Sequence, residues 1–101
     1  MKLHLIFTLL LTILQFTIHA QVQLGADIDG EAAYDNSGGS VSFSSDGSRV
    51  AIGASDNDGN GNRAGHVRIY EWTGINWVQL GTDIDGEVAD DWSGISVSIS
   101  F

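Results

Sequence analysis

Polar and apolar residues alternate along four segments of the chain, and alternation with period two is typical of half-buried β-strands. The four segments are residues 40–44, 49–54, 65–72 and 77–84. Turn-forming residues follow the first segment at 46–47 and the third at 73–76, and residues 55–64 form a polar loop. Residues 31–35 and 87–91 predict one short turn of helix each. The pattern as a whole predicts an all-β fold.

The third segment carries different side chains on its two faces. Val67 and Ile69 fall on one face, and the other face holds His66, Arg68, Tyr70 and Trp72. Both faces therefore offer apolar surface, as expected of a strand that is covered on both sides.

The sequence contains an internal repeat. Residues 22–45 return as residues 78–101, which is 56 residues later, and 17 of the 24 positions are identical. A fixed period is typical of propellers, solenoids and arrays. Four antiparallel strands in one period fit a β-propeller blade, whereas the alternative, a β-solenoid, usually has a shorter period. Because the second copy ends inside an alternating segment, we expect one full blade and the broken start of the next.

The first 20 residues predict a helical secretory signal peptide. Lys2 supplies the positive charge, residues 5–16 are largely apolar, and Ala20 is the small residue at the cleavage position. An uncleaved membrane anchor is the alternative, but the apolar stretch is shorter than the roughly 20 residues of a span. We expect a secreted, extracellular protein that has no membrane contact after cleavage.

The composition is strongly acidic. Asp and Glu number 13 against four Lys and Arg, a net charge of −9, and loss of the signal segment leaves three arginines and a net charge of −10. A nucleic acid partner is excluded because phosphate binding requires clustered cations. The chain has no cysteine, so it has neither a disulfide nor a thiolate metal site.

Three motifs occur in order at the spacing of one blade. They are residues 37–41 with their copy at 93–97, residues 50–55, and residues 65–70. In that order they resemble the Phe-Gly-x-Ser-Val strand, the strand ending in Gly-Ala-Pro and the Gly-x-Val-Tyr-Val-Tyr strand of the FG-GAP repeat. That repeat is the blade of integrin-α-type β-propellers, and the resemblance covers residues 22–101. It implies a four-stranded antiparallel blade of an incomplete propeller.

The sequence departs from the family pattern in places. Ser37 and Ser93 replace the family's Phe, and Ser55 replaces its Pro. Many family members carry a calcium loop between the first two strands, but residues 44–48 are too short to wrap an ion. We therefore do not carry that calcium site over to this chain.

Asp56, Asp58 and Asn60 form the candidate calcium motif of the polar loop. They provide oxygen ligands at positions 1, 3 and 5 of a calcium loop, with glycine at position 6. Positions 9 and 12 are Ala64 and Val67, which provide no side-chain ligand. The alternative is a polar turn-rich loop, which we favour, so we expect at most weak calcium binding and no other cofactor.

Two acidic motifs are candidates for acid–base chemistry. Asp27 and Glu31 share a motif that returns as Asp83 and Glu87, and paired carboxylates serve as acid–base pairs or metal ligands. A catalytic centre is rarely duplicated once per repeat, so we interpret both motifs as structural.

No nucleophilic site is predicted either. Residues 94–98 approach Gly-x-Ser-x-Gly but lack the second glycine of a nucleophile elbow, and His66 is the one histidine outside the signal segment. Three tryptophans offer a sugar-stacking surface or, more commonly, packing between blades: Trp72, Trp77 and Trp92. We predict that the protein is not an enzyme.

The predicted organisation has three parts: a signal peptide at 1–20, one FG-GAP-like repeat with its edge at 22–84, and the truncated start of the next repeat at 85–101. The resemblance implies extracellular binding or adhesion, with an unknown protein or carbohydrate as partner, or association with further repeats or other copies. The alternatives are a fragment of a secreted enzyme whose catalytic part is missing and a truncated product without independent function.

Overall fold

The computed structural model describes residues 22–100. Within them five strands form one antiparallel β-sheet. Its strands are β1 (Ser37–Phe43), β2 (Arg49–Ala54), β3 (His66–Trp72), β4 (Trp77–Gln79) and β5 (Ile84–Asp85). The first four lie side by side in chain order, and β5 also pairs with β3. The predicted all-β antiparallel architecture is confirmed. The predicted signal helix at residues 1–20 lies outside the described residues, among which no helix is long and apolar enough to cross a membrane.

A tight turn joins β1 to β2 at the predicted Asp-Gly position. Asp46 Oδ1 accepts hydrogen bonds from the Ser48 N–H at 3.0 Å, the Ser48 hydroxyl at 2.7 Å and the Ser44 hydroxyl at 2.8 Å. These bonds, above all the one from the Ser48 backbone, lower the pKa of Asp46 to about 2. Gly47 has a φ of 74°, a left-handed conformation that glycine adopts without strain.

The fourth strand is interrupted, so the prediction of one continuous strand over residues 77–84 is wrong. The paired residues are Gln79 with Tyr70 and Ile84 with Val67. From Gln79 to Ile84 the outer strand advances five residues, whereas β3 advances three between their partners. The two extra residues bulge out of the ladder near Gly81, whose φ is 69°. This interruption places Asp83 beside β3.

The two predicted helical turns are hydrogen-bonded loops instead. Asp35 Oδ2 accepts the N–H of Ala32 at 3.1 Å, and Asp91 Oδ2 accepts the N–H groups of Glu87 and Val88 at 2.9 and 3.0 Å. Carboxylates that take backbone N–H groups in this way compete with helix formation. Left-handed residues recur at equivalent positions of the two copies: Gly25 and Gly81, Tyr34 and Asp90, Asn36 and Trp92, Gly38 and Gly94. The 56-residue period is therefore a period of backbone conformation as well.

The strand register assigns each side chain to one of two faces. The aliphatic face holds Ser40, Ser42, Gly53, Val67 and Ile69, and the aromatic face holds Phe43, His66, Arg68, Tyr70, Trp72 and Trp77. This division matches the faces predicted for the third segment. The buried apolar residues among those described are Val50, Ala51, Ala54 and Ala64. The sheet therefore has a thin core of small side chains.

The segment before the sheet lies on the aromatic face. Residues 22–29 are the repeat equivalents of 78–85, which run along the outer edge of the sheet. Gly25 packs against the rings of Trp72 and Trp77, and the Ala26 N–H donates to Asn76 Oδ1 at 3.0 Å. The first copy thus covers part of the aromatic face.

The segment after the sheet crosses the opposite, aliphatic face. Residues 93–99 are the repeat equivalents of β1, and the N–H groups of Val97 and Ile99 donate to the hydroxyls of Ser40 and Ser42 at 3.0 Å each. The alternation in this segment suggested a strand, but among the described residues it forms no strand ladder. Serine side chains of β1 take its N–H groups, because it lies over the sheet and not beside it.

Backbone groups hold the second copy against the polar loop. Four backbone N–H groups of the second copy donate to backbone carbonyls at 2.8–3.0 Å. The donors and their acceptors are Gly86 to Gly65, Asp90 to Asn62, Trp92 to Arg63 and Ser93 to Ala64. The approach is close: a Cβ on Gly53 would overlap the carbonyl oxygen of Gly94 and lie 2.9 Å from its carbonyl carbon. Small residues therefore set how closely the second copy approaches the sheet.

Candidate functional site

Charged side chains converge where the aromatic face meets the outer edge of the sheet. Arg68 donates through Nε to Asp83 Oδ1 at 2.7 Å and through Nη2 to Asp83 Oδ2 at 2.9 Å. The same Nη2 donates to Glu31 Oε2 at 2.6 Å. Gln79 Nε2 adds a hydrogen bond to Asp83 Oδ1 at 2.8 Å. One arginine thus bridges two carboxylates from separate segments.

Different elements position the members of this cluster. His66 and Arg68 are two residues apart on β3 and therefore point to the same face. The interruption of the outer strand brings in Asp83, and the loop before β1 brings in Glu31. Glu31 belongs to the first sequence copy and Asp83 to the second, so the cluster lies where the two copies meet on one sheet.

His66 is the deepest member of the cluster. Its side chain is 4% exposed, against 26% for Asp83 and 45% for Glu31. Its Nδ1 atom lies 3.6 Å from Asp83 Oδ2 and 3.9 Å from Glu31 Oε2, and it has no hydrogen-bond partner among the described residues. A buried nitrogen therefore faces two carboxylates at more than hydrogen-bond distance.

Hydrogen bonding controls the charge state of the Arg68–Asp83 pair. The bidentate hydrogen bond from Arg68 lowers the pKa of Asp83 to about 2, and Gln79 adds to the effect. The pKa of Arg68 is raised, chiefly by its hydrogen bond to Asp83. Both groups are therefore fully charged at neutral pH.

The predicted acidic motifs contribute to this cluster in an unexpected way. The sequence pairs Asp27 with Glu31 and Asp83 with Glu87, but the structure joins Glu31 of the first motif to Asp83 of the second. The repeat period and the spacing of His66 and Arg68 on one strand were the available signals. Neither shows which residues of the two copies meet.

The loop that carries the calcium motif is engaged with the rest of the fold. Asp58 Oδ1 accepts the Arg63 N–H at 2.8 Å, and the Asn60 amide donates to the Gly86 carbonyl at 2.7 Å. The N–H of Asp56 donates to the Asp35 carbonyl at 3.1 Å. These contacts are those of a structured turn, and calcium binding at Asp56, Asp58 and Asn60 stays a prediction.

The other sequence candidates take separate places. The rings of Trp72 and Trp77 lie 5.3 Å apart, and Phe43 approaches Trp77 at 6.2 Å. Trp92 lies elsewhere, with the Arg63 guanidinium 5.9 Å from its ring centroid. Two of the three tryptophans therefore share the aromatic face.

The fold and the cluster define this chain as an all-β protein with a four- to five-stranded antiparallel sheet and an ionic cluster at its edge. Comparison with known proteins gives no match, since no family model, curated protein or solved structure is similar to it.

Proposed function

We propose that this chain is a repeat unit of a secreted β-propeller of the FG-GAP type and serves as a non-catalytic binding scaffold outside the cell. One observation carries the proposal. Residues 22–29, the repeat equivalents of the outer edge of the sheet, cover part of the aromatic face. Residues 93–99, the repeat equivalents of β1, cover the aliphatic face. In a propeller the blades are arranged around a central channel, so one face of a blade is covered by the preceding repeat and the other by the following repeat.

The thin core supports this reading. Within residues 22–100 the buried apolar side chains are one valine and three alanines, which offer little hydrophobic stabilisation. Large apolar side chains stay exposed on both faces, among them Val41 at 54%, Phe43 at 57%, Val78 at 52% and Ile84 at 53%. Repeat proteins bury such surface by stacking on neighbours, so a propeller array explains why these side chains are apolar.

The use of the polar side chains supports a non-catalytic role. The hydroxyls of Ser40 and Ser42 accept backbone N–H groups of the second copy, and both oxygens of Asp83 are hydrogen-bonded to Arg68. Groups that act as nucleophile or base in enzymes here connect one part of the fold to another. The proposed partner is an extracellular protein or a carbohydrate.

The proposal is tested by lengthening the array. Chains that carry one and two further 56-residue periods are compared with the 101-residue chain by urea unfolding. We expect the unfolding midpoint to rise with each added period, because every junction adds an interface term. Matched arrays in which each equivalent of Gly53 is replaced by alanine should show a smaller rise. An unchanged midpoint in the lengthened chains would contradict the proposal.

A further inference from the structure

We infer that Glu31, His66 and Asp83 form a binding site for one zinc ion at the place where the two sequence copies meet. One ligand atom from each residue lies within 4.8 Å of the other two. The set combines an imidazole nitrogen with two carboxylate oxygens. Zinc accepts this mixture, whereas calcium and magnesium are bound almost wholly by oxygen.

The distances fit a shared ion better than direct hydrogen bonds. His66 Nδ1 lies 3.6 Å from Asp83 Oδ2 and 3.9 Å from Glu31 Oε2, beyond the roughly 2.7–3.2 Å of an N–H···O bond. Two ligands at about 2.0–2.1 Å from a tetrahedral zinc ion are about 3.3–3.4 Å apart. Both distances from His66 are therefore within about 0.6 Å of this spacing. The three ligand atoms lie within 4.8 Å of one another, so the Glu31 carboxylate, which is 45% exposed, would move toward Asp83 as zinc binds.

The oxygens that face His66 keep free lone pairs. Asp83 Oδ1 is used by Arg68 and Gln79, but Asp83 Oδ2 and Glu31 Oε2 each accept one hydrogen bond, from Arg68. A carboxylate oxygen has about two acceptor positions, so one remains on each of these atoms. In the tautomer that carries its proton on Nε2, His66 has a lone pair on Nδ1, the atom that faces Asp83 Oδ2 and Glu31 Oε2. The three atoms together then offer three lone pairs to a metal ion.

Arg68 both orients and weakens the site. Its guanidinium fixes the two carboxylates through hydrogen bonds from Nε and Nη2, as partners behind metal ligands commonly do. Its positive charge also cancels one of the two negative charges, so we expect weaker binding than at a site with two unpaired carboxylates.

Zinc at this position would join the two sequence copies. Glu31 comes from the first copy, Asp83 from the second, and His66 from the strand between them. Three protein ligands leave one coordination position for water, on the side where Glu31 reaches solvent. The ion would add a connection between repeats in a chain whose net charge is strongly negative.

Two variants and a matched control test the site. The full chain as recovered from expression is titrated with Zn²⁺ by calorimetry, and ¹⁵N NMR of the imidazole follows the Nδ1 of His66, whose signals are assigned by their loss in His66→Gln. Glu31→Gln removes an exposed ligand and should leave the fold intact. Glu87→Gln is the control, because it changes the repeat equivalent of Glu31 outside the cluster.

We expect one zinc ion per chain at His66 and a shift of its Nδ1 resonance on binding. Affinity should fall at least about tenfold in Glu31→Gln, since even groups behind a ligand are worth 10- to 100-fold, and should stay unchanged in Glu87→Gln. An unshifted Nδ1 resonance, equal affinity in Glu31→Gln and the parent chain, or equal losses in both glutamate variants would each overturn the inference. Circular dichroism confirms that the variants are folded.

Discussion

Replacing Gly53 with alanine tests whether the second copy lies on the aliphatic face. Gly53 sits in β2 with an ordinary strand conformation, and Gly94 of the second copy passes directly over it. On an uncovered strand, glycine to alanine stabilises a protein by about 0.4–1 kcal/mol, because it restricts the unfolded chain. The sign of the effect therefore reports on what covers this position.

The structure predicts a loss of stability. The new methyl group would overlap the Gly94 carbonyl oxygen and lie 2.9 Å and 3.1 Å from the carbonyl carbon and Cα of the same residue. Backbone atoms do not rotate away, and overpacking of this kind costs about 1–3 kcal/mol. Subtracting the gain from the unfolded state leaves a net loss between about 0 and 2.6 kcal/mol, and the middle value of about 1.3 kcal/mol lowers Tm by about 5–10 °C for a domain of this size.

Thermal circular dichroism measures the loss, and hydrogen exchange shows where it arises. If the methyl group displaces the second copy, the amides of Asp90, Trp92 and Ser93 lose protection, since they donate to carbonyls of the polar loop. Gly39→Ala in β1 is the control, because its methyl group would mainly meet the side chain of the exposed Asn36. A Gly53→Ala chain that melts at a higher temperature than the parent would refute the reasoning.

Four further predictions follow from the sequence and the cluster. Protein recovered outside the cell should lack residues 1–20 and begin at Gln21 or a neighbour; intact mass decides, and a secreted species that retains Met1 contradicts it. Calcium should bind the polar loop more weakly than about 10⁻⁴ M in calorimetry, and micromolar binding that Asp58→Ala abolishes would show otherwise. The folded-state pKa of Asp83 is lowered to about 2, so ionised Asp83 stabilises the folded protein above about pH 4, and this stabilisation is lost as the pH falls toward 2. Asp83→Asn should therefore flatten the plot of stability against pH between these values. Asp27→Asn, which changes the repeat equivalent, should leave that part of the plot unchanged. The chain without the signal segment should be marginally folded or self-associated, and a monomer in sedimentation that melts cooperatively above about 60 °C would contradict the propeller proposal.

The structure refines the surface through which self-association is expected. From the sequence we expect other copies to bind through the apolar residues of the third segment, Val67, Ile69, Tyr70 and Trp72. These residues lie on the central strand β3 and are only partly exposed. The more exposed apolar side chains lie on the outer strands, including Phe43 on β1 and Val78 on β4. Flanking copies cover the centre of the sheet and leave its edges open, so we expect contacts between chains to begin at these edges.

Local patterns predicted the local structure well. Alternation in the second and third segments defined β2 and β3 to within one residue, and the Asp-Gly dipeptide gave the turn before Arg49. These features depend on neighbours in sequence, where side-chain period and turn chemistry decide the outcome. Residues 31–35 failed as a helix because the Asp35 carboxylate takes the Ala32 N–H, a competition that periodicity does not reveal.

The ionic cluster depends on contacts that no local pattern contains. Glu31 and Asp83 are 52 positions apart, and they meet because the outer strand leaves its ladder at Gly81 and the first copy folds onto the aromatic face. The repeat suggested that equivalent residues behave alike. In the structure, however, residues 22–36 of the first copy come before the sheet and residues 86–99 of the second copy come after it, so equivalent acids meet different partners.

The junction with the second copy is held mainly by backbone groups and not by ion pairs. The Arg63–Asp90 pair spans 3.2 Å, but its side chains are 51% and 59% exposed, and exposed pairs contribute about 0–1 kcal/mol. Four backbone N–H groups of the second copy donate to carbonyls at 2.8–3.0 Å, each worth about 0.5–1.5 kcal/mol net. A chain with three arginines and 13 acidic residues outside its predicted signal segment has few cations to attach one repeat to the next. Backbone hydrogen bonds and close glycine contacts carry no charge, so they stabilise the junction without adding to the repulsion between acidic repeats.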